Sequence, residues 1–232
     1  MLYLKEFYTF INEWSKNEPI PEIINKDKNL AIFLIGAPGI GKSYFIKNHI
    51  DIKNRNIKDF STDDVSVLYT KDPNIYHKGK EELPNGEMSS SASELNIKKL
   101  KSFMKTNQNF IYDTTGAGKK DTDTGFEHVK EIFDIAKSNN YYTIFIHIVS
   151  TLQTSIDQDK LRDRHVDGDY IKWAYSKQLG GIVDGNKVEG NINRFKSLNS
   201  DQYYIVTSID KKYKFYKFIN GSLVKRKNDK YI

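Results

Sequence analysis

Residues 36–43 run Gly36, Ala37, Pro38, Gly39, Ile40, Gly41, Lys42, Ser43, the spacing Gly-x-x-x-x-Gly-Lys-Ser that suits capture of a phosphate chain. Glycines lack Cβ, so backbone N–H groups can converge on phosphate oxygens, and the start of a following helix adds a favourable dipole field. In such a loop Lys42 contacts the β- and γ-phosphates, Ser43 ligates Mg2+, and Tyr44 completes the contact set at the helix entry. The ligand this predicts is ATP with Mg2+. The glycine order is not Gly-x-Gly-x-x-Gly, which disfavours NAD.

Two further segments end apolar runs in carboxylates, where a doubly wound sheet presents its ligands. In Phe60-Ser61-Thr62-Asp63-Asp64, Asp63 can accept the proton of an attacking hydroxyl, with Asp64 facing the substrate. Thr62 or Asp63 equally suits the cap of a following helix. In Ile111-Tyr112-Asp113-Thr114-Thr115-Gly116-Ala117-Gly118, Asp113 can stand near Mg2+ as a Walker B carboxylate, with Thr114 and Thr115 as substrate contacts. An ordinary left-handed turn after a strand would read the same way.

Arg162 and Arg164, with His165 beside them, supply planar cations that can neutralise charge spreading over a transferring phosphoryl group. The alternative is an exposed helix in which Asp157, Asp159 and Asp163 pair with Lys160, Arg162 and Arg164. His49, His77, His128, His147 and His165 show no metal-ligand spacing.

These residues need a scaffold. The apolar run 30–35 reads as a buried parallel strand, followed by a helix over 43–50. Strands are predicted over 57–61, 109–113, 142–149 and 202–207, and helices over 92–105, 126–138, 155–164 and 170–179. The alternation predicts an α/β fold of the P-loop NTPase type, a doubly wound and mostly parallel sheet flanked by helices. Ahead of it, Leu4, Phe7, Phe10, Ile11 and Trp14 recur at helical spacing, predicting an N-terminal helix within 1–22. The main domain spans 23–210, with a mobile flap over 71–93 and a lid over 155–170. Over 211–232, Asn220-Gly221 between apolar stretches predicts a β-hairpin. Its Lys and aromatic alternation suits both a half-buried hairpin and stacking on single-stranded nucleic acid.

A length of 232 residues with 38% hydrophobic content supports one sizeable core. No cysteine is present, which excludes disulfides, thiolate nucleophiles and Cys-based zinc sites. A net charge of +6 favours polyanionic partners, nucleic acid among them. Lys5, Glu6 and Glu13 interrupt the apolar residues of 1–14, so no signal sequence or membrane span is expected, and the protein is expected in the cytoplasm.

The loop 36–43, then Ser61-Thr62-Asp63-Asp64, Asp113-Thr114-Thr115-Gly116 and Arg162-Asp163-Arg164-His165-Val166 together resemble the zeta-toxin and polynucleotide-kinase group of P-loop kinases. The resemblance spans about 31–174 and implies Asp63 as general base and Arg162 and Arg164 as lid residues. It departs at Val65 and Ser66, where that group often has an arginine, at Gln158, another common arginine, and at Asp167, a frequent proline. The expected activity is transfer of the γ-phosphoryl group of ATP to a hydroxyl. The candidate acceptors are a nucleic-acid 5′-hydroxyl, a nucleotide sugar and another small hydroxyl compound. The rivals are a P-loop ATPase acting on a polyanion and a nucleotide-binding interaction protein.

Overall fold

Strand β1, Leu30–Ile35, is buried at every position, the mark of a central strand covered on both faces. Its side chains alternate between two cores. Ala31, Phe33 and Ile35 enter an aromatic layer, while Leu30, Ile32 and Leu34 enter an aliphatic one. The computed structural model describes residues 28–50, 56–61, 87–118, 122–162, 166–183, 186–188, 190–209, 212–219 and 222–225.

The chain continues through α1 (Lys42–His49), β2 (Lys58–Ser61), α2 (Glu87–Met104), β3 (Phe110–Thr114), α3 (Thr124–Ser138) and β4 (Tyr142–Val149). Helices α4 (Leu152–Lys160) and α5 (Gly168–Leu179) precede a small hairpin of β5 (Gly181–Val183) and β6 (Asn186–Val188). Then come α6 (Asn191–Lys196), β7 (Gln202–Ile209), β8 (Lys212–Ile219) and β9 (Ser222–Lys225). The main sheet has seven strands in the order β2-β3-β1-β4-β7-β8-β9. The first five are mutually parallel and the last two antiparallel. This is the doubly wound α/β architecture expected from the sequence.

Helix α3 shows how pattern becomes packing: Val129, Ile132, Phe133 and Ala136 recur at helical spacing and are all buried against the aromatic face. Residues of α2 and α6 join them there, while residues of α1 and α5 cover the aliphatic face. At the centre Phe33 stacks on Phe145 at 4.7 Å and meets Phe133 edge-on at 5.9 Å. Losing such a ring costs about 3–5 kcal/mol.

Several boundaries differ from the sequence expectation. Helix α2 starts at Glu87, so residues 87–93 are helical where a loop was expected; the remainder of the segment 71–93 lies outside the described residues, as does 1–22. Helix α4 runs over Leu152–Lys160, shifted toward the N-terminus, because Thr151 caps it by accepting the Thr154 N–H at 3.0 Å. Helix α6 and the β5–β6 hairpin were not expected. The C-terminal hairpin extends the main sheet through β7, with Ile219 opposite Ser222, so two residues connect β8 to β9. Among the described residues no helix is long and apolar enough to cross a membrane.

His147 lies inside β4 at 1% exposure, and burial pushes its pKa down from 6.5 to about 3. The unfolded chain therefore binds this proton below pH 6.5 while the folded chain does not. Its effect on stability is absent above that value and grows as the pH falls toward about 3, at up to about 1.4 kcal/mol per pH unit. Urea unfolding of wild type and His147→Gln between about pH 7.5 and pH 5 checks this. The wild type should lose more stability on acidification, and parallel profiles would contradict the assignment.

Candidate phosphate-binding site

The loop after β1 turns on glycine. Gly39 and Gly41 sit at φ 70° and 94°, the left-handed region that L side chains avoid. A Cβ on Gly36 would stand 2.8 Å from Ile40 Cγ2 and 3.2 Å from the Ile148 carbonyl. One on Gly39 would fall 2.2 Å from the Ser155 carbonyl, because α4 packs directly on the loop. Gly41 is the N-cap of α1, whose first helical hydrogen bond runs from Phe45 N–H to the Gly41 carbonyl. A helix start leaves its earliest N–H groups outside the helical ladder, a place suited to an anion. The Ala37, Pro38 and Ile40 positions are buried, whereas Ser43 and Tyr44 are exposed at the start of α1.

Lys42 Nζ donates to the Gly36 carbonyl at 2.9 Å and the Ala37 carbonyl at 3.4 Å, and lies 3.7 Å from Asp113 Oδ1. The ammonium thus bridges the loop to a carboxylate on the neighbouring strand. Asp113 is 8% exposed and in register with Leu34 on one side and Ser61 on the other. The Gly36 N–H donates to the Thr114 carbonyl at 3.3 Å, which fixes the spacing of the two strand ends. One hydroxyl, Ser43, and one carboxylate, Asp113, fit a Mg2+ that takes its other ligands from phosphate and water. Among the described residues no group of three or more His, Asp or Glu could hold a metal by itself.

Beyond Asp113 the chain makes a tight turn. Thr114 Oγ1 accepts the Gly116 N–H at 3.2 Å, and Thr115 Oγ1 accepts the Ala117 N–H at 3.3 Å. Gly116 and Gly118 hold φ 63° and 71°. The left-handed turn allowed for in the sequence is therefore present, and both threonines shape it. Thr115 Oγ1 also lies 3.3 Å from the Tyr170 hydroxyl of α5.

Arg162 follows α4 and pairs with Asp159 at 3.5 Å, while Lys160 pairs with Asp157 at the same distance. The local ion pairs considered from the sequence thus form for these residues. Asp159, on an exposed face in that alternative, is instead 4% exposed, and its Oδ2 accepts the Val166 N–H at 2.9 Å. It clasps both ends of the basic segment. Asp63, Asp64, Arg164 and His165 lie outside the described residues. Ser61, the last described residue before Asp63, ends β2 beside Asp113.

Sequence reading missed the polar residues surrounding the turn. Lys177 and Arg194 donate to Asp123 Oδ1 at 2.9 and 3.0 Å, and the Lys177 bond foremost holds that carboxyl below its usual range. Gln178 and Asn191 donate to carbonyls of the turn from α5 and α6. Their partners lie 54 to 75 residues away in sequence, so no local pattern marks them.

No protein-family model matches the sequence, and no curated protein matches it. Solved structures do. A chain of the AvrRxo1-ORF1:ORF2 complex crystallised with ATP is similar at a TM-score of 0.53 and 13% identity, over 84% of this chain and 60% of that one. The native complex gives a TM-score of 0.54 at 14% identity, with the same coverage. The PezAT toxin–antitoxin system of Streptococcus pneumoniae is similar at 12% identity and a TM-score of 0.47, over 89% of this chain and 74% of that one. This chain thus spans less than two thirds of the AvrRxo1 chains it matches. The shared feature is the fold, a doubly wound and mostly parallel α/β architecture.

Contact between α4 and the loop makes Gly39 the more sensitive of two exchangeable glycines. Gly39→Ala should lower unfolding stability by on the order of 1–3 kcal/mol through strain and displacement of α4. Gly168, with nothing within 4 Å of an added Cβ, is the control. Gly168→Ala should change stability by under about 0.5 kcal/mol in the same urea titration.

Proposed function

We propose that this chain is a kinase that transfers the γ-phosphoryl group of ATP, with Mg2+, to a hydroxyl acceptor. The observation that carries the reading is the convergence of Lys42, the glycine-built loop and Asp113 at adjoining parallel strand ends. A fold neighbour crystallised with ATP adds support for the nucleotide.

In this reading residues 36–44 wrap the phosphates, and Lys42 leaves the Gly36 carbonyl to meet the β- and γ-oxygens. Ser43 and Asp113 hold Mg2+, which when bound neutralises charge on the phosphates. Asp63 takes the proton of the acceptor hydroxyl as its oxygen bonds to the γ-phosphorus, and the bond from that phosphorus to the bridging oxygen breaks to release ADP. Arg162 and Arg164 stabilise charge on the moving phosphoryl group, so Arg162 must leave Asp159. Asp64, Thr114 and Thr115 contact the acceptor. Its candidates are a nucleic-acid 5′-hydroxyl, a nucleotide sugar or another small hydroxyl compound, and the setting is cytoplasmic.

Incubation with γ-labelled ATP and panels of these acceptors tests the activity. Label should move to one acceptor class; release only as free phosphate would favour an ATPase and reject the kinase. Lys42→Ala should abolish calorimetric Mg·ATP binding, whereas Asp63→Asn should keep the affinity and lose about 10²–10⁴-fold in transfer rate. Unchanged turnover in the aspartate variant would remove Asp63 from the role of base.

A further inference from the structure

The turn after β3 is held twice over. Locally, Thr114 and Thr115 accept N–H groups of the same turn, which suffices to reverse a chain. Remotely, its carbonyls are taken by two buried amides. Gln178 Nε2 donates to the Thr115 carbonyl at 3.3 Å, and Asn191 Nδ2 donates to the Gly116 carbonyl at 2.9 Å. Gln178 is 1% exposed and Asn191 0%.

Neither amide stands alone. Arg194 Nη1 donates to Asn191 Oδ1 at 3.3 Å. A guanidinium can only donate, so Asn191 must turn its oxygen to Arg194 and its NH2 to Gly116. Arg194 is itself fixed, lying 3.8 Å over the Phe126 ring and bonded to Asp123. The Tyr203 hydroxyl donates to the Ile192 carbonyl at 3.1 Å, which pins the start of α6 where Asn191 sits. His147 Nδ1 lies 3.3 Å from that hydroxyl. Buried polar contacts therefore run from β4 and β7 through α6 to the turn. Within the fold, a network of this kind rigidifies the group at its end.

The phosphate loop also has support of its own. Its geometry comes from its own glycines, from α1 and from the packing of α4, and it joins the turn at the Thr114 carbonyl, upstream of the anchored carbonyls. We infer that Gln178 and Asn191 are positioning residues that set the geometry of the Thr114–Gly118 turn, and through it the fit of the phosphate acceptor, without governing nucleotide affinity. What the turn receives rests on the kinase reading above; that it is positioned from α5 and α6 does not.

The test uses the full chain and the variants Gln178→Met, Asn191→Asp and Arg194→Met. The aspartate keeps the shape of Asn191 but removes the donor facing Gly116. The arginine variant leaves both buried amides in place and removes the group that orients one of them, together with its bond to Asp123, so it remains informative if a core variant fails to fold. Amide hydrogen exchange of residues 114–118, calorimetric Mg·ATP affinity, and kcat and KM for the acceptor found by label transfer are measured. Exchange should quicken and acceptor KM rise by on the order of tenfold, the scale of one lost buried hydrogen bond. The ATP dissociation constant should stay within about twofold, since no nucleotide contact is lost. Unchanged exchange over 114–118, or ATP affinity weakening in step with acceptor KM, overturns the inference. If the wild type labels no acceptor, the kinase reading fails by itself. Faster exchange with ATP affinity retained then still supports the positioning, and unchanged exchange still refutes it.

Discussion

The Gly36 N–H to Thr114 carbonyl bond joins the two loops on which any chemistry here depends. It forms because β1 and β3 are parallel neighbours in register, Ile35 beside Thr114, so both chains leave the sheet at the same height. From that point one chain must curl back into α1 and the other must turn toward α3. Only glycine allows both bends at the observed close approach: Gly125 at the start of α3 abuts Gly118 so tightly that a Cβ on either would meet the other's nitrogen within 2.3 Å. The sheet supplies height and direction, and the missing side chains supply room.

Charge is then distributed by burial. Lys42 and Asp113 face each other with side chains only 13% and 9% exposed, where attraction is screened less than on the surface. Asp159 is likewise buried, and it holds Arg162 and the Val166 N–H. Pairs such as Lys130 with Asp134 lie at the surface and contribute little to the fold. Among the described residues the two buried carboxylates, Asp113 and Asp159, sit at the end of β3 and beside the phosphate loop.

How much of this was legible in the sequence depended on how local the signal was. The loop 36–43 and its strand and helix could be read because glycine spacing and an apolar run are written in adjacent residues. Strand β4 was expected over its observed bounds for the same reason. Helix α6 escaped because one short turn and a half, with Phe195 as its fully buried apolar residue, shows no period. Asp159 was a surface partner in the alternative to a lid because its neighbours are charged; the structure buries it where α4 packs on Gly39. Gln178 and Asn191 were invisible because their hydrogen-bond partners are carbonyls, which every residue has.

The C-terminal hairpin, by adding β8 and β9 beyond β7, leaves an open sheet whose two outermost described strands are β2 and β9. Each has four residues, and each carries a lysine, Lys58 and Lys225. Short borders with a charged residue are poor templates for strand addition from another molecule, since any incoming chain gains few ladder bonds and must desolvate an ammonium. Among the described residues the sheet is thus bordered by strands that invite little further pairing.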